Sequence, residues 1–562
     1  MEQGRVILAI ALSVIIFLAW EFFFSPKEKV QQREKKEKVS QTEKTTTQEK
    51  PYVKAIETEK DRAIAKEVVE KKQQEPTKEK AGRIITVHTP LYSVKISEKG
   101  ALFRSFVLKK YRETVEKDSP YKEIIVKKNQ QGNVILGLEG NSIEGIEQAV
   151  FLSQLQENTV DVVNAKREIG FSWESPEGII FEKIFSFSPN EYTIGLSINI
   201  KNGSGQAFED KLRLSLIKYF KQEKAMYGFE GPSALINNKL EQIKVKKIEE
   251  QNIFSGTFKW IALQDRYFMS SILTGNGSDS PEGVMRLLFK DNMLKAQYIL
   301  PSTRVNPGTM KKVEYKLFLG PKSMKVLKQT GHRLEKAIDF GMFDILAKPC
   351  LWIMNFLHDN VIQNYGIAII ILTILTKILL WPLGTKSYKS MGEMKKIQPL
   401  MAEIKEKYKN DKKKMNQEVM ALYKTYKINP VGGCLPMVVQ IPVFFALYRM
   451  LYEAIELRHA PFFLWINDLS APDRLFSFDF SIPFMQPPYG IPVLTIIMGA
   501  SMLLQQKMSP PMGDAAQAKM MMFMPIIFTV IFINFSSGLV LYWLVNNILS
   551  MAQQHYITKK NA

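Results

Sequence analysis

The 562-residue chain carries 76 Lys and Arg against 56 Asp and Glu, a net charge of +20, and is 46% hydrophobic. That balance suits an anionic membrane face or a nucleic acid, and the long apolar runs favour the membrane. Two distant cysteines (Cys350 and Cys434) and five histidines without ligand spacing exclude a disulfide framework or a readable zinc site. There is no phosphate-binding glycine loop and no nucleophile elbow, so no enzyme, metal or cofactor is expected.

Residues 1–25 hold "VILAIALSVIIFLAWEFFF", long enough to span a bilayer, which needs about 20 apolar residues. The run ends in three phenylalanines without a small-residue cleavage site, so it reads as an uncleaved anchor rather than a signal peptide. Residues 26–83 form a linker of mixed charge whose single aromatic, Tyr52, cannot seed a core. From 84 to 325 the pattern changes to period two, as in "RIITVHTPLYSVKIS" and "EYTIGLSINIKN", with turn signals such as "SPEG" between runs. That predicts an antiparallel all-β domain, a sandwich.

Residues 326–362 predict amphipathic helices broken at Pro349. They would either pack on the β domain or lie in the membrane interface, with Trp352 and Phe356 as anchors. Apolar spans follow at 363–384, 434–455, 490–507, 519–535 and 536–557, the last two separated by "SSG". The segment 385–433 holds a helical hairpin with apolar residues at three- and four-residue steps, interrupted at Asn410 and Asp411 and ended by Asn429, Pro430, Gly432 and Gly433. Its many lysines place it in the cytoplasm. The loop 456–489, with two arginines and four acids, belongs outside, and the loop 508–518 and tail 558–562 inside. Six spans with both termini inside result. Within the hairpin Lys395, Lys396, Met401, Lys405, Lys412 and Lys413 offer a docking surface for headgroups, ribosomal RNA or an acidic partner.

The second span raises a question of its own. Its stretch "IIILTILTKILLWPL" contains Lys377, a charge that costs about 2.5–3.5 kcal/mol at the centre of an inserting helix. Snorkelling to the headgroups would reduce that cost. Yet Thr373, Gln440, Thr529, Asn546 and Asn547 lie at similar depth in the cytoplasmic half of the spans, with Gln505 and Gln506 closing the fourth. Polar groups in lipid need partners or water. They would make either a shared hydrated pocket or a set of interhelical hydrogen bonds.

The stretches "YKINPVGGCLPMVVQIPVFFALYRML", "ELRHAPFFLWINDLSAPD", "QQKMSP" and "FMPIIFTVIFINFSSGLVLYWLVNN" together resemble the YidC family of membrane protein insertases, over about 365–557. "WIALQDRYF" resembles the periplasmic domain of its Gram-negative members. The resemblance implies a polytopic α-helical protein whose five-helix core surrounds a hydrophilic groove open to cytoplasm and lipid. It also implies an all-β supersandwich outside, like that of mutarotases. The implied substrates are nascent membrane proteins, handled alone or with the Sec translocon, the ribosome and membrane lipids. The family's groove charge is usually arginine, and Lys377 takes that position. Thr373, Gln440 and Trp543 fall at groove or contact positions, and Met437, Phe444, Met524, Phe528 and Phe532 would line a greasy path. A transporter or an anchored sugar sensor are the competing readings. A transporter needs polar residues along a whole path, or repeated halves with broken helices, and neither is readable.

Overall fold

The computed structural model of the chain describes residues 82–125, 132–220, 228–275, 281–426, 435–508 and 515–561. The expected anchor, nearly all of the linker and the residues expected to end the hairpin (Asn429 to Gly433) lie outside the described residues. The chain divides into two units, one whose described part is 399–426 and one formed by Ala81–Gln398 with Lys427–Ala562.

Strand residues alternate as the sequence predicts. In Ile179–Phe187 every odd-numbered residue is buried and every even one partly exposed. This strand pairs antiparallel with Thr193–Asn202, which pairs with Met310–Pro321 at the middle of a thirteen-stranded sheet. The turn before it is the predicted "SPEG": Gly178 takes φ +81°, a conformation open to glycine, and its N–H donates to Ser175 O. A second, five-stranded sheet is built from Tyr121–Glu123, Leu102–Arg112, Tyr92–Ser97, Ile84–His88 and Thr159–Asp161. One pairing departs from the antiparallel expectation: Ile84–His88 and Thr159–Asp161 run parallel. A long crossover makes that pair, and alternation along a single strand carries no signal of it. Phe103, Phe181, Phe185, Trp260 and Leu317 are fully buried between strands, each worth about 1.5–3 kcal/mol over exposure.

Lys183 breaks the apolar row. It occupies an inward position of Ile179–Phe187 and is fully buried. Its Nζ donates to the carbonyls of Gly100 (3.1 Å), Ala101 (2.5 Å) and Val134 (3.4 Å). Ala101 and Val134 adopt positive φ (41° and 63°), so the backbone is bent where it supplies two of those acceptors. Burial pushes the Lys183 ammonium down to about 7. The unfolded chain therefore binds a proton that the folded chain releases between pH about 7 and the usual lysine value. Stability should rise through that window by up to about 1.4 kcal/mol per pH unit, and Lys183→Met should remove this contribution. Urea unfolding of the β domain within the full chain, repeated from pH 7 to 10, reads both.

Among the described residues ten α-helices follow: α1 (Met324–Thr330), α2 (Asp344–Asn360), α3 (Tyr365–Leu379), α4 (Trp381–Lys396), α5 (Gln398–Lys407), α6 (Lys412–Thr425), α7 (Leu435–Glu453), α8 (Val493–Met508), α9 (Ala515–Phe532) and α10 (Ser537–Asn561). Three departures from the sequence reading have clear causes. The helix α2 runs unbroken through Pro349; the carbonyl that this proline leaves unpaired belongs to Ile345, which is on the exposed side. Buried Ala347, Leu351, Met354 and Leu357 pack one face of α2, while Trp352 and Phe356 stack on each other on the exposed face. The second span stops at Leu379 and bends by 65° into α4, because Pro382 fits only the first turn of a new helix. The expected two-helix hairpin has three helical pieces, since Pro399 forces a break at Ile397 and leaves Lys395 and Lys396 on α4.

In the unit 399–426, Asp411 caps α6 by accepting from the backbone N–H of Lys413 and Lys414, worth about 1 kcal/mol. Tyr423 donates to Met401 Sδ at 3.5 Å, which sets Met401 at the seam between α5 and α6. Lys405 lies on α5, and Lys413 is exposed on α6; the side chain of Lys412 lies outside the described residues. Among the described residues no single helix is long and apolar enough to cross a membrane, although α3 and α4 qualify together as a bent pair.

Candidate functional site

The polar residues of the apolar helices do not scatter; most converge on α10. Lys377, near the end of α3, donates from Nζ to Ser550 Oγ at 2.6 Å. Ser550 in turn donates to Asn546 O one turn earlier (2.6 Å), and Tyr388 of α4 faces Ser550. Asn546 Oδ1 accepts from Gln440 Nε2 of α7 at 3.0 Å, and Gln440 also meets Tyr542. A connected path thus runs from the lysine of α3 through α10 to α7. Lys377, Gln440 and Asn546, chosen from the sequence, meet in it. Ser550, Tyr388 and Tyr542 complete it and were not legible as members.

Further polar residues of α10 repeat the device. Asn547 Nδ2 donates to Ser501 Oγ of α8 at 3.0 Å. Gln554 Nε2 donates to Met508 O at the end of α8, and Gln553 Nε2 to Trp381 O at the α3–α4 bend, both at 3.0 Å. Positions 546, 550 and 553 and positions 547 and 554 fall on two helical faces by their three-, four- and seven-residue steps. That periodic polarity was the available signal for Ser550, Gln553 and Gln554. In a lipid setting each such bond answers a group that has no water to turn to.

Other expected members lie elsewhere. Thr373 shares the lysine's face but is buried and returns its hydroxyl to Ile369 O at 2.6 Å. Thr529 returns its hydroxyl to Pro525 O and sits against Gly499 of α8, where an added Cβ would come within 2.1 Å of Thr529 Oγ1. Trp543 is not in the polar path. It centres an aromatic cluster with Phe444 (4.6 Å between ring centroids), Phe532 (4.9 Å) and Phe528 (6.3 Å). Three residues of the expected greasy path therefore pack on one tryptophan. Phe532 is only 2% exposed, whereas Met524 is 40% exposed. Met437 lies in α7, and its side chain is outside the described residues.

Removing the hydroxyl that receives Lys377 has a calculable effect. Ser550→Ala is expected to lower stability by about 1–3 kcal/mol, the worth of a hydrogen bond to a charged group together with the desolvation left behind. A lower midpoint in detergent unfolding, largely restored in Ser550→Thr, is the reading that checks it.

The geometry defines a hydrogen-bonded polar path, headed by a lysine, inside an otherwise apolar helical bundle joined to a large β-sheet domain. Residues 84–353 match the YidC periplasmic domain family, and residues 356–562 match the 60Kd inner membrane protein family. The chain is 45% identical over 482 residues to the membrane protein insertase YidC of Syntrophus aciditrophicus (strain SB), covering 85% of each. It is 41% identical over 566 residues to that of Geotalea uraniireducens (strain Rf4), covering 99% of each. The crystal structure of an active YidC insertase with its first transmembrane domain resolved aligns over 85% of this chain and 95% of that one, at 19% identity and a TM-score of 0.37. The chain belongs to the YidC family of membrane protein insertases. It is a non-enzymatic inner-membrane protein, and its β domain is periplasmic.

Proposed function

We propose that the Lys377–Ser550–Asn546–Gln440 path is the polar wall of a groove that receives the short hydrophilic tail of a nascent membrane protein. The observation that carries this reading is the Lys377 ammonium, held among the described residues by the neutral Ser550 hydroxyl and by no carboxylate. A charge so held keeps its field for an incoming acidic group. Thr373 and Thr529 flank the path with their hydroxyls returned to their own helices, and the Phe444–Phe528–Phe532–Trp543 cluster, together with Met437 and Met524, borders the route of the apolar segment. Hydrophobic transfer of the new helix into lipid, about 0.8 kcal/mol per buried CH₂, drives release. No covalent step is required.

In this reading the chain has six spans with both termini in the cytoplasm, divided at the residues given above, and the lysine-rich segment 385–433 docks ribosomes or acidic partners. The Sec translocon and anionic lipids are its other partners, and the two sheets form a supersandwich. The proposed role of the charge is tested with full-length protein in proteoliposomes. Two single-span substrates differ only in whether the tail carries Asp or Asn. The acidic tail should be protected from protease more often, and raising salt should narrow the gap less than it would for a surface pair. Equal protection of both tails contradicts the proposal.

A further inference from the structure

The loop between α7 and α8 presents large apolar side chains to the outside. Leu464 is 85% exposed and Phe484 80%, and Phe463, Phe476 and Phe480 are each more than half exposed. Residues 461–467, "PFFLWIN", carry no charge, and residues 475–491 carry only Asp479. Scattered exposed apolar residues are ordinary, but a charge-poor set of this size on one loop marks a contact surface.

The set is held in place rather than left loose. Leu464, Phe476 and Phe484 take positive φ (58°, 60° and 64°), a genuine outlier for bulky residues that persists only when the surroundings enforce it. The enforcing frame is polar. The buried carboxylate of Asp473 accepts from Trp465 Nε1 and from the backbone N–H of Leu494. Arg474 donates to Pro488 O and Ile533 O. Asn534 donates to Phe484 O and accepts from Gln486 N. The backbone N–H groups of Ser537 and Gly538 donate to Ala471 O and Leu469 O. The loop is thus riveted to the α9–α10 junction and to the start of α8, with its apolar tips turned away from the rivets.

Two contacts fix what the tips face. Arg458 donates to the carbonyls of Arg112 and Glu113, so the loop lies on the side of the periplasmic domain. The Phe462 ring fills the space beside Gly366 at the outer end of α3. The loop is bonded to Ile533 and Asn534 just past the end of α9, and on α9 Ile527, Val530 and Ile531 are exposed.

We propose that the 461–485 segment is an interfacial wedge whose Leu464, Phe476 and Phe484 side chains enter the outer leaflet, about 5–10 Å deep at the headgroup–acyl boundary. The occupant of this face is lipid. The wedge fixes the depth of the outer helix ends and leaves Asp479 at headgroup level.

The test uses full-length protein with Cys350→Ser and Cys434→Ser, reconstituted in vesicles and labelled with an environment-sensitive fluorophore at one new cysteine. Leu464→Cys and Phe484→Cys probe the tips directly. Ser477→Cys and Ser481→Cys, at exposed positions, leave every apolar residue intact should the first pair fold poorly, and Glu209→Cys on the β domain is the aqueous control. Blue-shifted emission, quenched by headgroup-proximal spin-labelled lipid and shielded from iodide, is expected for the four loop sites and not for the control. Water-like emission at the loop sites overturns the proposal. A blue shift that grows with protein-to-lipid ratio would assign the face to a second copy of the chain and overturn it equally.

Discussion

Lys377→Ala is expected to weaken insertion of substrates with an acidic tail while leaving the protein as stable as before, or more so. The two effects have opposite signs because the lysine is costly to its own fold. Its cost of about 2.5–3.5 kcal/mol in an inserting helix is only partly offset by the Ser550 hydrogen bond, worth about 1.5–3 kcal/mol. Removal should therefore raise the detergent-unfolding midpoint slightly or not at all. Function should move the other way. A unit charge about 12 Å from a tail carboxylate at an effective dielectric near 20 contributes about 1.4 kcal/mol, a factor of about ten. Insertion of the acidic-tail substrate should fall by that order, with Asn-tail substrates nearly unaffected. Lys377→Arg should retain insertion, since guanidinium keeps the charge and adds bidentate geometry. Snorkelling alone predicts no substrate dependence.

Trp543→Ala should have the largest structural effect in the helical region. Trp543 meets Phe444, Phe528 and Phe532 at centroid distances of 4.6, 6.3 and 4.9 Å, joining α7, α9 and α10. In lipid the usual hydrophobic term is missing, because acyl chains are as apolar as the side chains they would replace. What is lost is ring packing, about 0.5–1.5 kcal/mol for each of the three pairs, or about 1.5–4.5 kcal/mol together. The unfolding midpoint in mild detergent should drop accordingly, and Trp543→Phe should recover much of it. Insertion of acidic and neutral tails should fall together in Trp543→Ala, in contrast to the charge-selective loss in Lys377→Ala.

The strands of the β domain were legible because a half-buried strand writes its two faces into alternate residues, as Ile179–Phe187 does. Sheet order was not legible: which strands neighbour Thr193–Asn202 depends on long-range pairing. Lys183 stands at an inward position of its strand, and only three converging carbonyls explain it there. Among the helices, Lys377, Gln440 and Asn546 stood out because charge and amides are rare in apolar runs. Ser550, the residue that the lysine meets, did not, since a single serine within a long helix is unremarkable in composition. Proline was a good signal read at the wrong place. Pro382 marked a real bend just beyond Leu379, whereas Pro349 marked none, because the helix could leave an exposed carbonyl unpaired. Trp543, given a groove or contact position by the resemblance, packs among Phe444, Phe528 and Phe532.

The most direct measurement places a photo-crosslinking residue at Gln440, 3.0 Å from Asn546 and two hydrogen bonds from the hydroxyl that holds Lys377. A stalled ribosome presents a single-span substrate with an acidic tail to the full-length protein. Crosslinks to the tail that weaken in Lys377→Ala and persist in Lys377→Arg are the predicted result. Crosslinks to lipid alone, with none to the tail in any variant, would contradict the groove.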